Sequence, residues 1–159
     1  YNFDTSYGQV ALGFNSAHML EYKIPTAAGM TDVVGLFNHD NFARSLPETK
    51  SVLTASLSNG NHNVTAFYRW VSEYETTRAV DPASAARGFT QDIDAFETID
   101  LKYTYNFDLG SSNVVLSAGV NNAADEKAPM VYDAANFSYD PKHHDARGRM
   151  TYLGFKISM

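Results

Sequence analysis

The chain contains no cysteine, which excludes a disulfide framework and any metal site built from thiolates. Lys and Arg number 12 against 18 Asp and Glu, the formal net charge is −6, and the basic residues never occur in runs. A protein that binds nucleic acid needs a basic surface to displace counterions from the phosphate backbone. The composition therefore predicts that nucleic acid is not a partner.

Long apolar runs are also missing. No stretch approaches the roughly 18 consecutive apolar residues that a membrane-spanning helix requires. These residues therefore contain no predicted membrane-spanning helix. It does not exclude a membrane β-barrel, because barrel strands alternate apolar and polar residues and average to neutral hydropathy.

No pattern typical of catalysis or metal binding stands out. The chain lacks a nucleophile elbow, a glycine-rich phosphate loop and a Ser/His/Asp grouping, so we expect no enzymatic activity, no catalytic residue and no cofactor. The adjacent His143 and His144 point in different directions in an extended chain and would share a metal poorly. Four acidic residues near a loop-to-strand junction lack the spacing of an EF-hand: Asp92, Asp94, Glu97 and Asp100. We interpret both groups as structural or surface features and predict no metal site.

Aromatic and β-branched residues are abundant and recur with a period of two. Ten Tyr and ten Phe favour strands over helices. The clearest segment places Ile99, Leu101, Tyr103, Tyr105 and Phe107 on one face, with only polar residues on the other, as a half-buried strand requires. Six such segments are predicted, at residues 9–24, 50–57, 63–75, 99–107, 113–120 and 151–159, preceded by the tail of another strand at residues 1–4.

The links between these segments alternate strictly in length. Three are short and rich in turn residues, at 4–8, 58–62 and 108–113, and three are long, at roughly 25–47, 76–95 and 121–147. An outer-membrane barrel has short periplasmic turns and long extracellular loops. The pattern therefore predicts an all-β, antiparallel transmembrane β-barrel whose last strand ends on the periplasmic side.

The composition of the two faces supports this prediction. Charged residues predicted to lie opposite the apolar face suit a wet lumen: Glu21, Lys23, Arg69, Glu73, Asp100, Lys102 and Lys156. Aromatic residues would form girdles at the two interfaces, with Tyr105, Phe107 and Phe155 at the lower rim and Trp70, Tyr74 and Tyr22 at the upper rim. The alternatives are a small or oligomeric outer-membrane barrel and a soluble all-β binding module, in which these aromatics would form a core.

Six strands and a fragment cannot close a barrel, since bacterial single-chain barrels have even numbers of strands from eight upward. Open edges in lipid would leave backbone groups without hydrogen bonds. We therefore expect the functional unit to include more chain than these residues.

Two motifs resemble those of TonB-dependent outer-membrane receptors. Residues 119–129 have Gly119, Asn122, Asp125, Lys127 and Pro129 at the spacing of that family's penultimate-strand signature. Residues 145–159 contain an Arg-Gly-Arg segment leading into alternating apolar residues, similar to the family's last strand. Residues 41–48 and 60–65 are similar to the family's approach to a strand and to a periplasmic turn.

The resemblance implies a place for the chain and a set of partners. Residues 1–159 would be roughly the last six strands of a 22-stranded barrel in the outer membrane of a Gram-negative bacterium. The protein would take up a scarce nutrient such as a siderophore, cobalamin or an oligosaccharide. Its partners would be outer-membrane lipid, the barrel-assembly machinery, and the TonB energy-transducing complex, which would act through an amino-terminal part that is absent from these residues.

The same resemblance implies that ligand contacts come from the long loops. Aromatic side chains there would stack on ligand rings, and Arg would pair with carboxylates. The candidate residues are Phe37, Asn38, His39, Arg44, Arg78, Arg87, Tyr132, Tyr139 and His143.

Overall fold

The computed structural model describes residues 1–132 and 138–159. Strand accounts for 57% of the chain and helix for 3%, so the fold is all-β, as the alternating patterns predict. The elements are, in chain order, β1 (Asn2–Thr5), β2 (Gly8–His18), β3 (Lys23–Thr26), β4 (Gly29–Asp32), β5 (Leu36–Asn38), β6 (Arg44–Leu46), β7 (Thr49–Asn59), β8 (His62–Val71), β9 (Tyr74–Thr76), α1 (Pro82–Ala85), β10 (Asp92–Ile93), β11 (Phe96–Leu109), β12 (Ser112–Asn121) and β13 (Met150–Ser158). Within the described residues, no helix is long and apolar enough to cross a bilayer.

The main sheet has seven strands in the order β1-β2-β7-β8-β11-β12-β13. Every neighbouring pair in it is antiparallel. The six predicted long strands and the preceding fragment are therefore confirmed, and so is the alternation of short and long links. Tight turns join the strands at one end of the sheet, and the three long links lie at the other end.

The register of this sheet keeps the apolar residues of all strands on one face. One cross-strand row runs from Leu57 to Val64, Tyr103, Ala118 and Leu153, each residue opposite the next. Successive side chains of a strand point to opposite faces, so the rows two residues above and below belong to the same face. The apolar stripes seen in the sequence thus join into one continuous surface.

None of the residues that the structure describes covers this apolar face. Leu153 and Phe155, on the last strand, are 87% and 77% exposed. Phe14, on β2 near the other edge of the sheet, is 72% exposed on the same face. A soluble monomer rarely exposes a contiguous apolar surface of more than a few hundred Å². The face must therefore meet something outside these residues.

Most of the buried apolar residues lie in the long links at the end of the sheet and not on the main sheet itself. Tyr74, Ile93 and Val131 form the centre of this core, with Phe37 packed against them. Short strands organise this layer into a four-stranded sheet of order β10-β9-β5-β6 and the hairpin β3-β4. Within this layer, β5 and β9 pair in parallel.

Two strands of the main sheet end earlier in the sequence than predicted. The segment predicted at 9–24 leaves the main sheet after His18, and the segment predicted at 63–75 leaves it after Val71, because their common neighbour β7 begins at Thr49. Tyr74 is therefore a core residue of the loop layer and not a girdle residue. Four further predictions are wrong for the same reason. Tyr22 was predicted in the girdle, and Glu21, Lys23 and Glu73 on the polar face of the main sheet, but all four residues lie beyond the ends of β2 and β8.

A tight turn after β12 anchors the start of the third long link. Asn122 is buried at φ +52°, and its side-chain amide donates to the carbonyl of Glu126 and accepts from the amide of Glu126, both at 2.8 Å. The backbone N–H of Asn122 donates to Asp100 Oδ1 on the adjacent strand β11 at 2.8 Å. Asn suits this position because its short polar side chain tolerates the left-handed conformation and bonds locally.

The same turn fixes the start of the last strand. Asp125 Oδ1 accepts a hydrogen bond from the backbone N–H of Arg149 at 2.9 Å, and Asp125 Oδ2 pairs with Lys127 Nζ at 2.9 Å. Gly148 adopts φ +70°, and a Cβ there would lie 2.7 Å from Asp125 Oδ1, so a larger residue would push the carboxylate away. The two motifs that resemble the receptor family are therefore in direct contact with each other.

Replacing Asn122 by Ala should lower the free energy of unfolding by about 2 kcal/mol, because the Glu126 amide loses its buried partner and Ala resists positive φ. The measurement is the midpoint of chemical unfolding. The matched control is Asn113→Ala, whose exposed amide makes one hydrogen bond to Asp108 and whose loss should change stability by less than about 0.5 kcal/mol. Equal losses for the two variants would show that the turn does not anchor the link.

Candidate ligand-binding site

Parallel pairing of β5 with β9 brings together four of the predicted loop residues. The carbonyl of Phe37 accepts from the N–H of Thr77 at 3.0 Å, and the N–H of His39 donates to Thr77 Oγ1 at 3.0 Å. Arg78 follows directly, and its charge helps to lower the pKa of Asp40. Phe37, His39, Arg44 and Arg78 thus lie in one region of the loop layer.

Asn38 holds this region together from inside and is not available to a ligand. It has no exposed surface, and its Nδ2 lies 2.8 Å from the carbonyl of Arg44 and 3.3 Å from that of Val33, to which it donates. These bonds stabilise Arg44 at φ +58°, a conformation that costs a non-glycine residue about 1–2 kcal/mol. The prediction of Asn38 as a ligand contact is wrong, because its buried side-chain amide already donates to backbone carbonyls.

A hydrogen bond joins the side chains of His39 and Asp40 at the edge of this region. His39 Nδ1 lies 2.6 Å from Asp40 Oδ1, and Arg44 Nη1 donates to the carbonyl of His39 at 3.1 Å. The hydrogen bond from His39 is the main cause that lowers the pKa of Asp40 below its ordinary value, with smaller contributions from Arg78 and Arg44.

Tyr132 and Arg87 lie around the short helix α1. Asp81 caps that helix by accepting from the amides of Ala83 and Ser84, and the hydroxyl of Tyr132 donates to Asp81 Oδ2 at 2.7 Å. The hydroxyls of Ser84 and Tyr132 hold the pKa of Asp81 well below its usual range. Tyr132 therefore ties the third link to the second, while Arg87 is exposed beyond the helix end.

A buried polar cluster fastens the third link to the core. The hydroxyl of Tyr74 donates to Asp140 Oδ2 at 2.8 Å, and the ring of His144 packs against Tyr74 and Phe96 with centroids 5.8 and 5.2 Å apart. His144 is 3% exposed, and its Nδ1 has no hydrogen-bond partner in the part of the chain that the structure describes. Burial lowers the pKa of His144 to about 4, and burial together with Asp140 raises the pKa of Tyr74.

The fastened link closes a cavity of about 380 Å³ over the polar face of the main sheet. The sheet supplies the floor and residues 143–148 supply one wall. Its lining combines charged, amide and aromatic groups: Lys50, Ser51, Val52, Arg69, Trp70, Val71, Phe96, Thr98, Asp100, Asn121, Asn122, His143, Asp145, Arg147 and Gly148. This is the cavity in which the sheet and the loop layer meet, and it is the candidate ligand-binding site.

Two ion pairs shape the cavity. Arg69 Nε donates to Asp100 Oδ2 at 3.0 Å, and its guanidinium lies 5.5 Å from the centre of the Phe67 ring. Arg147 is held more completely, since its Nε and Nη2 both bond the carboxylate of Asp145, at 2.9 and 2.6 Å. The hydrogen bonds from Arg147 keep the pKa of Asp145 below its usual range.

Only one of the predicted ligand residues lines this cavity. His143 is partly buried there, with Nε2 3.2 Å from the carbonyl of Ser45, to which a ring N–H donates, and desolvation lowers the pKa of His143. Tyr139 lies beside a separate, more open depression formed by residues 141–147. The sequence prediction did not include Lys50 and Arg69, which line the cavity, although the period-two pattern indicates the face on which they lie.

No group of three or more His, Asp or Glu side chains among residues 1–132 and 138–159 is arranged to hold a metal ion. The four acidic residues near the loop-to-strand junction separate in the fold: Asp92 lies in the loop layer, Glu97 on the apolar face opposite Trp70, and Asp100 in the cavity.

Acidification should weaken the fold through His144. The folded protein favours the neutral imidazole, so the stability that depends on it is complete above the unfolded pKa of 6.5 and is lost as pH falls towards about 4. A shift of this size corresponds to a loss on the order of 3 kcal/mol. In chemical unfolding at a series of pH values, His144→Phe should reduce this dependence. An unaltered pH dependence in His144→Phe would contradict this assignment.

Comparison of the chain with protein-family models, with curated proteins and with solved structures finds no match.

Proposed function

We propose that this chain forms part of the wall of a TonB-dependent outer-membrane receptor, which takes up a scarce nutrient through a β-barrel. The observation that carries the proposal is the continuous, uncovered apolar face of an antiparallel meander whose long links all lie at one end. Lipid would cover that face, and the polar face with its cavity would line the lumen. The proposed place is the outer membrane of a Gram-negative bacterium.

The height of the apolar face fits a bilayer. Its upper limit is a row of polar and interfacial residues in which Ser51 and Glu97 lie opposite Trp70. Its lower limit is an aromatic group in which Tyr105 packs against His62 and Phe107, at 4.8 and 5.7 Å between ring centres. The strand from Glu97 to Phe107 rises roughly 33 Å at about 3.3 Å per residue. A tilt of about 40° reduces this to about 25 Å, the height of the apolar band in outer-membrane barrels.

The polar end groups support the same orientation. The hydroxyl of Tyr68 donates to Glu97, and the hydroxyl of Tyr103 lies 2.7 Å from His62 Nδ1. Each tyrosine therefore points its polar tip towards one limit of the band while its ring stays on the apolar face, as amphipathic aromatic residues do at membrane interfaces.

The contact between the two family-like motifs gives their co-occurrence a physical reason. Asp125 in the first motif accepts from the backbone of Arg149 in the second, beside Gly148. Two motifs that recur together because they bind each other are stronger support for the family than either one separately. The TonB complex and the barrel-assembly machinery remain proposed partners that follow from this resemblance.

Fluorescence of Trp70, the single tryptophan of the chain, tests the membrane location. In lipid vesicles, lipids brominated near the headgroup should quench Trp70 more strongly than lipids brominated near the chain ends, because Trp70 would lie at an interface. Subtracting the spectrum of a Trp70→Phe variant isolates this residue from any other tryptophan of the full-length protein. A protein that stays in aqueous solution without detergent and is not quenched would support a soluble all-β module and refute the membrane proposal.

A charge placed on the apolar face should prevent insertion. Leu101 lies in the middle of that face, so Leu101→Arg should cost about 2–4 kcal/mol in the bilayer and abolish the shift in mobility that folded barrels give on unheated gels. Thr104→Arg, on the polar face of the same strand, is the matched control and should insert normally. Equal insertion of the two variants would contradict the assignment of the faces.

A further inference from the structure

We propose that Lys50 and Arg69 form a binding site for an oxyanion, either a carboxylate or a phosphate group, on the ligand that passes this wall. This inference rests on the proposed function, since it assumes that the polar face lines the path of the ligand. It defines a chemical class for that ligand: a molecule bearing at least one anionic oxygen group.

Asp100 orients the guanidinium of Arg69 but uses only part of its hydrogen-bonding capacity. Asp100 accepts only from its Nε, and the Phe67 ring supports the guanidinium plane. In the described part of the chain, neither terminal amino group of Arg69 makes a hydrogen bond, and the side chain is 51% exposed. The two terminal amino groups of a guanidinium match the two oxygens of a carboxylate or phosphate. An arginine held at Nε therefore presents its open end to an anion with little loss of conformational freedom.

A second hydrogen bond holds Asp100, the residue that orients Arg69. The second oxygen of Asp100 accepts from the backbone N–H of Asn122 at 2.8 Å, so this carboxylate is bonded on both sides. Asp100 is also largely shielded, with 18% of its side chain exposed. Since its oxygens are already engaged, Asp100 positions Arg69 without repelling an anion as strongly as an unpaired carboxylate would.

Lys50 supplies the second charge. Val52 lies opposite Arg69, and Lys50 is two residues from Val52 on the same face, which makes Lys50 and Arg69 diagonal neighbours within reach of long side chains. Lys50 makes no ion pair among the described residues and lies near His143, whose pKa its charge helps to lower. An ammonium ion and an open guanidinium thus line the same cavity.

The other charges of the cavity do not cancel this pair. Arg147 and Asp145 neutralise each other, since the guanidinium of Arg147 donates three hydrogen bonds to the carboxylate of Asp145. Three cations, Lys50, Arg69 and Arg147, stand against two anions, Asp100 and Asp145, which leaves one positive charge. Because burial favours the neutral form of His143, His143 adds hydrogen-bonding capacity and no charge near neutral pH. One ligand anion would complete the balance.

The test is binding of succinate and of inorganic phosphate, in separate titrations, to the intact membrane protein in detergent at low salt. Binding is followed by NMR, as broadening of the ¹H signal of succinate or of the ³¹P signal of phosphate. We expect at least one of the two anions to bind. Arg69→Gln should weaken that binding about tenfold through loss of the charged bidentate contact, and Lys50→Gln should weaken it several-fold. Arg69→Lys should lose most of the affinity although it keeps the charge, because it lacks the fork.

Lys102→Gln is the matched control, because Lys102 lies on the same polar face of β11, opposite Thr65 and Gly119, and does not line the cavity. It should bind both anions normally. Stronger binding of succinate identifies a carboxylate ligand, and stronger binding of phosphate identifies a phosphorylated one. If neither anion binds the folded protein, or if Arg69→Gln and Lys102→Gln bind equally well, the inference is wrong.

Failure of this site and failure of the proposed function give different results. Mobility on unheated gels and partition into vesicles are measured on the same samples. A protein that inserts into lipid but binds neither anion overturns the anion site and leaves the receptor proposal standing. A protein that stays in water overturns the receptor proposal, while anion binding and its dependence on Arg69 are still measured.

Discussion

Cross-strand register is the constraint on which the rest of this structure depends. Because side chains alternate between the two faces of a sheet, a shift of one residue in any pair would exchange the faces of that strand. The six neighbouring pairs of the main sheet all keep the same parity, so Leu57, Val64, Tyr103, Ala118 and Leu153 form one row. The uncovered apolar face and the polar floor of the cavity both follow from that agreement.

The long links are ordered by buried polar groups and not by a large apolar core. Irregular backbone leaves many N–H and C=O groups without regular partners, and each must be satisfied when it is buried. Asn38 donates to backbone carbonyls of the first link, and Asn122 donates to a carbonyl of the turn after β12. Asp140 accepts a hydrogen bond from the hydroxyl of Tyr74 in the core. These side chains explain why links of more than twenty residues fold over the sheet end as a defined layer.

The candidate site exists because two different parts of the chain meet. Arg69 and Lys50 stand on adjacent strands, and His143 and Arg147 arrive from a link about eighty residues later in the sequence. The ion pair from Arg69 to Asp100 continues through the N–H of Asn122 into the turn that also fixes Arg149. The cavity wall, the start of the last strand and the orientation of Arg69 are therefore coupled through one chain of hydrogen bonds.

The sequence by itself determined the strands, their two faces and the alternation of short and long links, because period-two patterning and turn residues are local properties. It did not determine where strands β2 and β8 end, which depends on where their common neighbour β7 begins. Nor could it separate Asn38, which is fully buried and structural, from His39, whose side chain is partly exposed, since both look alike in a polar loop. Only the tertiary structure decided that His143 lines the cavity and that Lys50 and Arg69 face it together, because contacts between distant segments leave no periodic trace in the sequence.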